Sequence, residues 1–302
     1  MIKDVVEAYW SLSKRDLSVL KLLEKGHRRY EFIPQEVLEK LFRRRDEELR
    51  NSLKKLHGLG LLRRNTSPYL GWKITALGYD VLAIHTLRAR KKIVSISPTP
   101  LGVGKEAVVY AGDTPSGLKI VLKFYRRGVA SFKLKELKKL GKVKHLHDLY
   151  RTRLSAAAEY FALSKIFEGG GLVPEPITYN RHVVVMAYLD GVELYRLNSG
   201  TFEKIIEDVV ETLKISLSLG IIHGDLSPYN IIVSRRSYII DWPQWVPATH
   251  PKALKYLRRD FENLEKFFKS RGISLDLGGL VQYVKRGAVE EFVHHFNKDV
   301  FL

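Results

Sequence analysis

The stretch HGDLSPYNIIV, residues 223–233, followed after a short turn by YIIDWPQ, residues 238–244, decides how this chain is read. Asp225 stands five residues ahead of Asn230, and Asp241 follows one hairpin later, with β-branched, apolar runs between them that predict two short strands. Moving a phosphoryl group from a nucleotide requires an acidic group beside the attacking nucleophile and hard oxygen ligands for a divalent cation astride the phosphates. Asp225 suits the first task, and Asn230 and Asp241 suit the second. The Asp-to-Asn spacing is that of a kinase catalytic loop, and Asp241 ends a strand where a metal-binding aspartate belongs.

Working upstream, LGVGKEAVVYAG (101–112) puts Gly102 and Gly104 just before a predicted strand. A glycine-rich turn between strands lets backbone N–H groups approach phosphate oxygens, so Gly102, Val103, Gly104, Lys105, Glu106, Ala107 and Val108 are expected around the phosphates, with Lys105 adding positive charge. EAVVYAG, the turn TPSG and LKIVLKFY predict a hairpin. In its second strand Lys123 lies between Leu122 and Phe124, and a lysine in an apolar strand needs a partner. Glu159, in the strongly helical segment Leu154–Phe167, is that predicted partner, and a Lys–Glu pair gripping the α- and β-phosphates is the kinase arrangement. Ser155 is a candidate cap for that helix. HVVVMAYL is expected to be a short buried strand, FEKIIEDVVETLKISLSLG an amphipathic helix, and further helices follow Asp241.

The first 92 residues have a different texture. Leu17, Leu20 and Leu23, then Val37, Leu38 and Leu41, fall at helical spacing, with Pro34 suited to the first turn of the second helix. A third helix, about Asp46 to His57, carries Leu49, Leu53 and Leu56 on one face and Arg50, Lys54 and Lys55 on the others, and Gly58 and Gly60 stop it. The strand LLRR, a turn, the strand WKIT and a long final helix complete the order of a winged helix-turn-helix. Arg50, Lys54 and Lys55 are the expected nucleic-acid contacts. VSISPTPLG (94–102), with two prolines, is expected to be the linker.

Charge supports this division. The chain has 302 residues and a net charge of +18. Residues 1–92 hold 21 Lys/Arg against 11 acids, residues 123–153 hold 11 against 2, and the remainder is nearly neutral. An excess confined to two segments points to two surfaces for a polyanion. Residues 126–150 are expected to be a basic loop or frayed helix. With 45% hydrophobic residues the chain can bury a real core, and its zero cysteines exclude disulfides, thiolate metal sites and a cysteine nucleophile. No apolar run approaches membrane-spanning length and the N-terminus lacks a signal-peptide pattern, so a cytoplasmic protein without a membrane partner is expected.

Taken together, GVGKEAVVY, the lysine strand, RLSAAAEYFAL, HGDLSPYN and IDWPQ, in that order, resemble the RIO atypical protein kinases over residues 95 to about 285. With the winged helix in front, the chain resembles the RIO subfamily that carries this N-terminal domain. The resemblance implies an α+β protein: a winged helix-turn-helix over 1–92, then a trimmed bilobal kinase domain over 93–302, its N-lobe about 93–185 and its C-lobe about 190–302. It implies ATP with Mg²⁺ (Mn²⁺ is served by the same oxygen ligands), serine phosphorylation or autophosphorylation, and work on the pre-ribosomal small subunit, its rRNA and its ribosomal or assembly-factor proteins. By the same resemblance Asp225 is the catalytic aspartate, Lys123 and Asp241 belong to the catalytic set, Asn230 and Asp241 hold metal, and Met186, Tyr188 and Leu189 form the adenine-binding hinge. In this subfamily the metal-loop aspartate, here Asp241, can itself take the phosphate, which makes ATP hydrolysis a rival reaction.

The departures are specific. Gly224 replaces the arginine that follows the histidine in ordinary kinases, Trp242 replaces a usual phenylalanine, Ala107 replaces a usual serine, and no APE signature follows Asp241. GVASFK (128–133) departs from the family's GRTSF and leaves Ser131 as the candidate autophosphorylation site. Two other classes compete: a small-molecule phosphotransferase like the aminoglycoside kinases, disfavoured by the winged helix and by the lack of an acidic cluster for a cationic substrate, and a nucleotide-sensing DNA-binding regulator, disfavoured because Asp225, Asn230 and Asp241 are all intact.

Overall fold

The computed structural model describes residues 2–42, 46–126, 148–198, 200 and 202–285. The N-terminal unit is built from α1 (Ile2–Ser11), α2 (Lys14–Gly26), β1 (Ile33–Pro34), α3 (Gln35–Phe42), α4 (Asp46–Gly58), β2 (Leu62–Asn65), β3 (Gly71–Ile74) and α5 (Ala76–Ala89). Its three strands pair antiparallel in the order β1-β3-β2, the wing being β2 and β3 with Leu62 opposite Ile74. A break at Ser13 separates α1 from α2: Ser13 and Asp16 form a reciprocal capping box, a Ser-x-x-acid signal that sequence reading passed over. Pro34 ends β1 and stands just before α3, outside the helix expected to contain it, because its backbone pairs with Gly71.

The segment expected to be a linker is a strand. Residues Ser95–Val103 form β4, the edge of a five-stranded antiparallel sheet in the order β4-β5-β6-β8-β7, with β5 (Ala107–Asp113), β6 (Lys119–Tyr125), β7 (Pro176–Asn180) and β8 (Val183–Ala187). Pro98 and Pro100 are tolerated because an edge strand has one side that need not donate to a ladder, and the β4–β5 register shifts on both sides of Pro100. The helix bearing Glu159 is α6 (Asp148–Glu168), longer than expected at its N-terminal end. Ser155 therefore sits inside it, its hydroxyl donating to the Arg151 carbonyl, and does not cap it. Of the basic stretch 126–150, residues 127–147 and with them Ser131 lie outside the described residues.

The sheet is buried on both faces, and the two-residue period of a strand sorts its side chains. Ile120, Leu122, Phe124, Val183 and Val185 join the winged-helix core with Leu82, Leu87 and Ile93. Tyr125, Val184 and Met186 join the other core with Ala157, Phe161 and Ala162 of α6. The winged helix thus covers the outer face of the N-lobe sheet. Polar clamps fix the join: Arg126 Nη1 donates to both carboxylate oxygens of buried Asp80 at 2.7 and 2.8 Å, His182 Nε2 lies 2.6 Å from the same carboxylate, and Arg181 grips Glu24 through two 2.7 Å bonds.

The C-lobe follows with β9 (Val192–Glu193), α7 (Phe202–Ser218), β10 (Ile221–Ile222), β11 (Ile231–Val233), β12 (Ser237–Ile239), β13 (Val246–Pro247) and α8 (Ala253–Lys269). The hairpin of β11 and β12 separates Asn230 from Asp241, as the spacing predicts. Among the described residues no helix is long and apolar enough to cross a membrane.

Candidate active site

Lys123 lies in the middle of β6, opposite Val109 on β5 and Val184 on β8. Its Nζ donates to Glu159 Oε1 and to Asp241 Oδ1, both at 2.6 Å, so one ammonium joins the sheet, α6 and the loop after β12. Burial works against the lysine's charge, but Asp241 and Glu159 outweigh it and raise its pKa well above the ordinary lysine value. The same ammonium holds Asp241 below the ordinary aspartate value against the opposing effect of burial. For Glu159, buried in the core, desolvation dominates and the pKa rises. Glu159 is held from three sides: by Lys123, by the Tyr125 hydroxyl at 2.5 Å and by the Trp242 N–H at 3.3 Å.

Asp241 has φ +68, a left-handed conformation in a residue with a Cβ. Such strain persists where surroundings over-determine it and gathers at functional sites. Here it turns the carboxylate toward both Lys123 and Asn230, whose Nδ2 is 3.4 Å from Asp241 Oδ2, while Asn230 Oδ1 accepts from Ser227 at 2.7 Å. One carboxylate and one amide oxygen suit Mg²⁺, which keeps waters and phosphate oxygens as its remaining ligands.

Asp225 stands more open, its side chain 62% exposed. Partial burial raises its pKa; Arg259, 3.5 Å away, opposes this and Asp241 adds to it. The loop around Asp225 is shaped by Asp260 of α8, which accepts the Gly224 and Leu226 N–H groups at 2.7 and 3.0 Å, and Arg259 donates to the Gly224 carbonyl. Gly224 itself has φ +79, and a Cβ there would meet the Gln244 carbonyl at 3.0 Å, a physical reason why no arginine occupies this position. His223 is buried, with Nε2 3.0 Å from the Ile240 carbonyl and its ring against Trp242.

Gly102 and Val103 end β4, residues 104–106 make the turn, and Ala107 and Val108 open β5, with the Gly104 N–H bonded to the Ala107 carbonyl. Val103, at the end of β4 just before the turn, is 73% exposed. Glu106 reaches across to the other lobe: its carboxylate accepts from Gln244 at 3.3 Å, and its carbonyl accepts from the Arg126 N–H. Met186 is buried against α6 at the end of β8, Tyr188 follows with its N–H on the Lys119 carbonyl, and Leu189 is half-buried. The elements thus bring Lys123, Glu159, Asn230 and Asp241 into direct contact, with Asp225 and Glu106 at the margin.

A family described as "RIO domain" matches residues 108–278, and one described as "Rio2, N-terminal" matches residues 9–90. The chain belongs to the RIO kinase family. A RIO-type serine/threonine-protein kinase Rio2 of Methanocaldococcus jannaschii is 34% identical over 274 residues, covering 86% of this chain and 100% of that protein. The Dictyostelium discoideum rio2 kinase is 33% identical over 265 residues, 86% of this chain but 51% of its own length. Among solved structures, the Rio2 kinase–ADP/Mg²⁺–phosphoaspartate complex from Chaetomium thermophilum aligns with a TM-score of 0.80 at 28% identity, covering 98% of this chain and 94% of that one. This RIO kinase is therefore an atypical serine/threonine kinase of the Rio2 type, using ATP and Mg²⁺.

Several contacts in this RIO kinase escaped sequence reading. Tyr125 lies two residues beyond Lys123 and so on the same face of β6, but a tyrosine at a strand end gives no signal that sets it apart from core. Asp260, Arg259 and the Gln244–Glu106 contact carry no local signal, since their partners lie 34 to 138 positions away. In the winged helix the three expected nucleic-acid contacts differ in freedom. Lys55 is committed to buried Asp16 at 2.9 Å and to the Ser11 carbonyl, Arg50 is 3.4 Å from Glu39, and Lys54 has no described partner.

Proposed function

We propose that this RIO kinase transfers the γ-phosphoryl group of ATP to a serine hydroxyl, or to Asp241 for later hydrolysis, on the maturing small ribosomal subunit in the cytoplasm. The observation that carries the reading is the Lys123 ammonium shared between Glu159 and Asp241, a cation held where a nucleotide's phosphates need one. Lys123 would bind the α- and β-phosphates, with Glu159 fixing its direction. Residues 102–108 would cover the phosphates, and Met186, Tyr188 and Leu189 would line the adenine. Asn230 and Asp241 would hold Mg²⁺, or Mn²⁺ in its place, which supplies charge neutralisation on the phosphates when bound.

In transfer to serine, Asp225 receives the hydroxyl proton as the new P–O bond forms and the bond to ADP breaks. Its exposure leaves room for a substrate, and its raised pKa favours proton capture. In the other branch an Asp241 carboxylate oxygen takes the phosphoryl group and water later releases inorganic phosphate, leaving ATPase turnover as the net reaction. The phosphoaspartate in the Chaetomium relative supports that branch. The basic excess of residues 1–92 supports rRNA as a partner, with Arg50, Lys54 and Lys55 of α4 as candidate contacts. Ser131 is the candidate autophosphorylation site.

Incubation with γ-³²P-ATP and Mg²⁺ tests this. The wild type should yield labelled protein or released phosphate, and Asp241→Ala should abolish both while the fold is retained. A label that survives hydroxylamine assigns serine, and a label released by hydroxylamine, which cleaves acyl phosphates but not phosphate esters, assigns Asp241. Unchanged turnover in Asp241→Ala would remove the assignment.

A further inference from the structure

A cleft of about 310 Å³ lies where the winged helix meets the kinase N-lobe, away from the phosphate-binding turn, and three guanidinium groups converge on it: Arg90 just past α5, Arg153 on α6 and Arg181 in the turn between β7 and β8. Arg181 is spent on the join. Its Nε and Nη2 pair with Glu24, and its Nη1 serves the Leu82 carbonyl, Thr86 and Asn180. Arg153 lies 3.9 Å from that same Glu24, and exposed Arg90 adds a charge that no described ion pair meets. The cleft therefore keeps a surplus of positive charge, and guanidinium donors match phosphate oxygens in geometry. Half-buried Tyr160 and Tyr179, with ring centroids 4.9 Å apart, form its aromatic wall.

We infer that this cleft binds a backbone phosphate of single-stranded RNA. The inference rests on the RNA reading above and moves its site from α4 to the domain junction. Its volume stands at the lower end of small-ligand pockets, about 300 to 1,000 Å³, so it accepts one phosphate-bearing unit. The surface beyond decides between RNA and a phosphorylated protein. The chain leaves the cleft as Arg90, Lys91 and Lys92, all exposed, which suits a repeating series of phosphates. At the same end of α5, Arg88 stacks 4.9 Å from the ring centre of Trp10, whose side is 65% exposed. Cationic grooves beside accessible aromatic rings are how proteins hold unpaired bases.

The test uses the full chain and a fluorescein-labelled single-stranded oligoribonucleotide, with anisotropy titrations across a salt series. Arg90→Ala, at an exposed position that leaves folding intact, should weaken binding and reduce the log–log salt slope by about 0.7, the value for one lost single-strand phosphate contact. Trp10→Ala should weaken binding with the slope unchanged, because stacking releases no counterions. If the wild type binds the oligoribonucleotide and Arg90→Ala keeps its affinity and slope, the cleft is refuted and the RNA reading survives. If the wild type does not bind it, both fall. Arg90-dependent binding of a phosphoserine peptide in place of the oligoribonucleotide would also overturn the inference.

Discussion

A single ammonium group organises the site, and its setting explains why removing it is costly. Lys123 pairs with both Glu159 and Asp241; truncating it leaves the buried Glu159 carboxylate without its cation, which costs about 3–5 kcal/mol. Lys123 and Glu159 were legible in the sequence because a charge in an apolar strand and another in an alanine-rich helix each demand a partner. Tyr125, which completes the shell around Glu159, was not, because a tyrosine at the end of a strand reads equally well as core. His223 adds a pH-sensitive element. Burial pulls its pKa from the ordinary 6.5 to about 4, so between these values the unfolded chain takes up a proton that the native state refuses. The stability this confers is complete above pH 6.5 and is lost as the pH falls through about 4. His223→Gln, which keeps a donor for the Ile240 carbonyl, should therefore narrow its stability gap to wild type by up to about 3 kcal/mol between pH 7 and pH 4. Denaturant titrations at the two pH values check this, and parallel curves would contradict it.

At the scale of elements, the sequence order of helices, wing and strands was readable from periodicity, while β4 was not. Two prolines argue against a strand, and only the sheet order reveals that this one lies at an edge where missing N–H groups cost nothing. The doubly buried sheet was also hidden. Alternation in IVLKFY predicts two faces but not what covers each, and the outer face is covered by another domain. Phe124 measures that packing: fully buried, it contacts Tyr110 and His182 edge-on. Phe124→Ala should cost about 3–5 kcal/mol, read from the urea midpoint. A loss under about 1 kcal/mol would mean that the winged helix does not seal this face.

For the whole molecule, the shared core and the Asp80 and Glu24 clamps make the winged helix and the N-lobe one structural body, and the run from Lys123 to Arg126 leads from the Lys123–Glu159–Asp241 cluster to that join. Arg126 binds Asp80 of the winged helix by its side chain and the Glu106 carbonyl of the turn between β4 and β5 by its backbone. Charge points to two basic surfaces, residues 1–92 and residues 123–153; that the winged helix packs on the N-lobe sheet is something composition cannot reveal. The account stands on one convergence, that of Lys123, Asn230 and Asp241 on a nucleotide's phosphates, with Asp225 facing the γ-phosphate. A crystal structure with a non-hydrolysable ATP analogue and Mg²⁺ tests it most directly. The expected result is Mg²⁺ on Asn230 and Asp241, with Lys123 on the α- and β-phosphates. Phosphates bound elsewhere, or a metal held by neither residue, would contradict it.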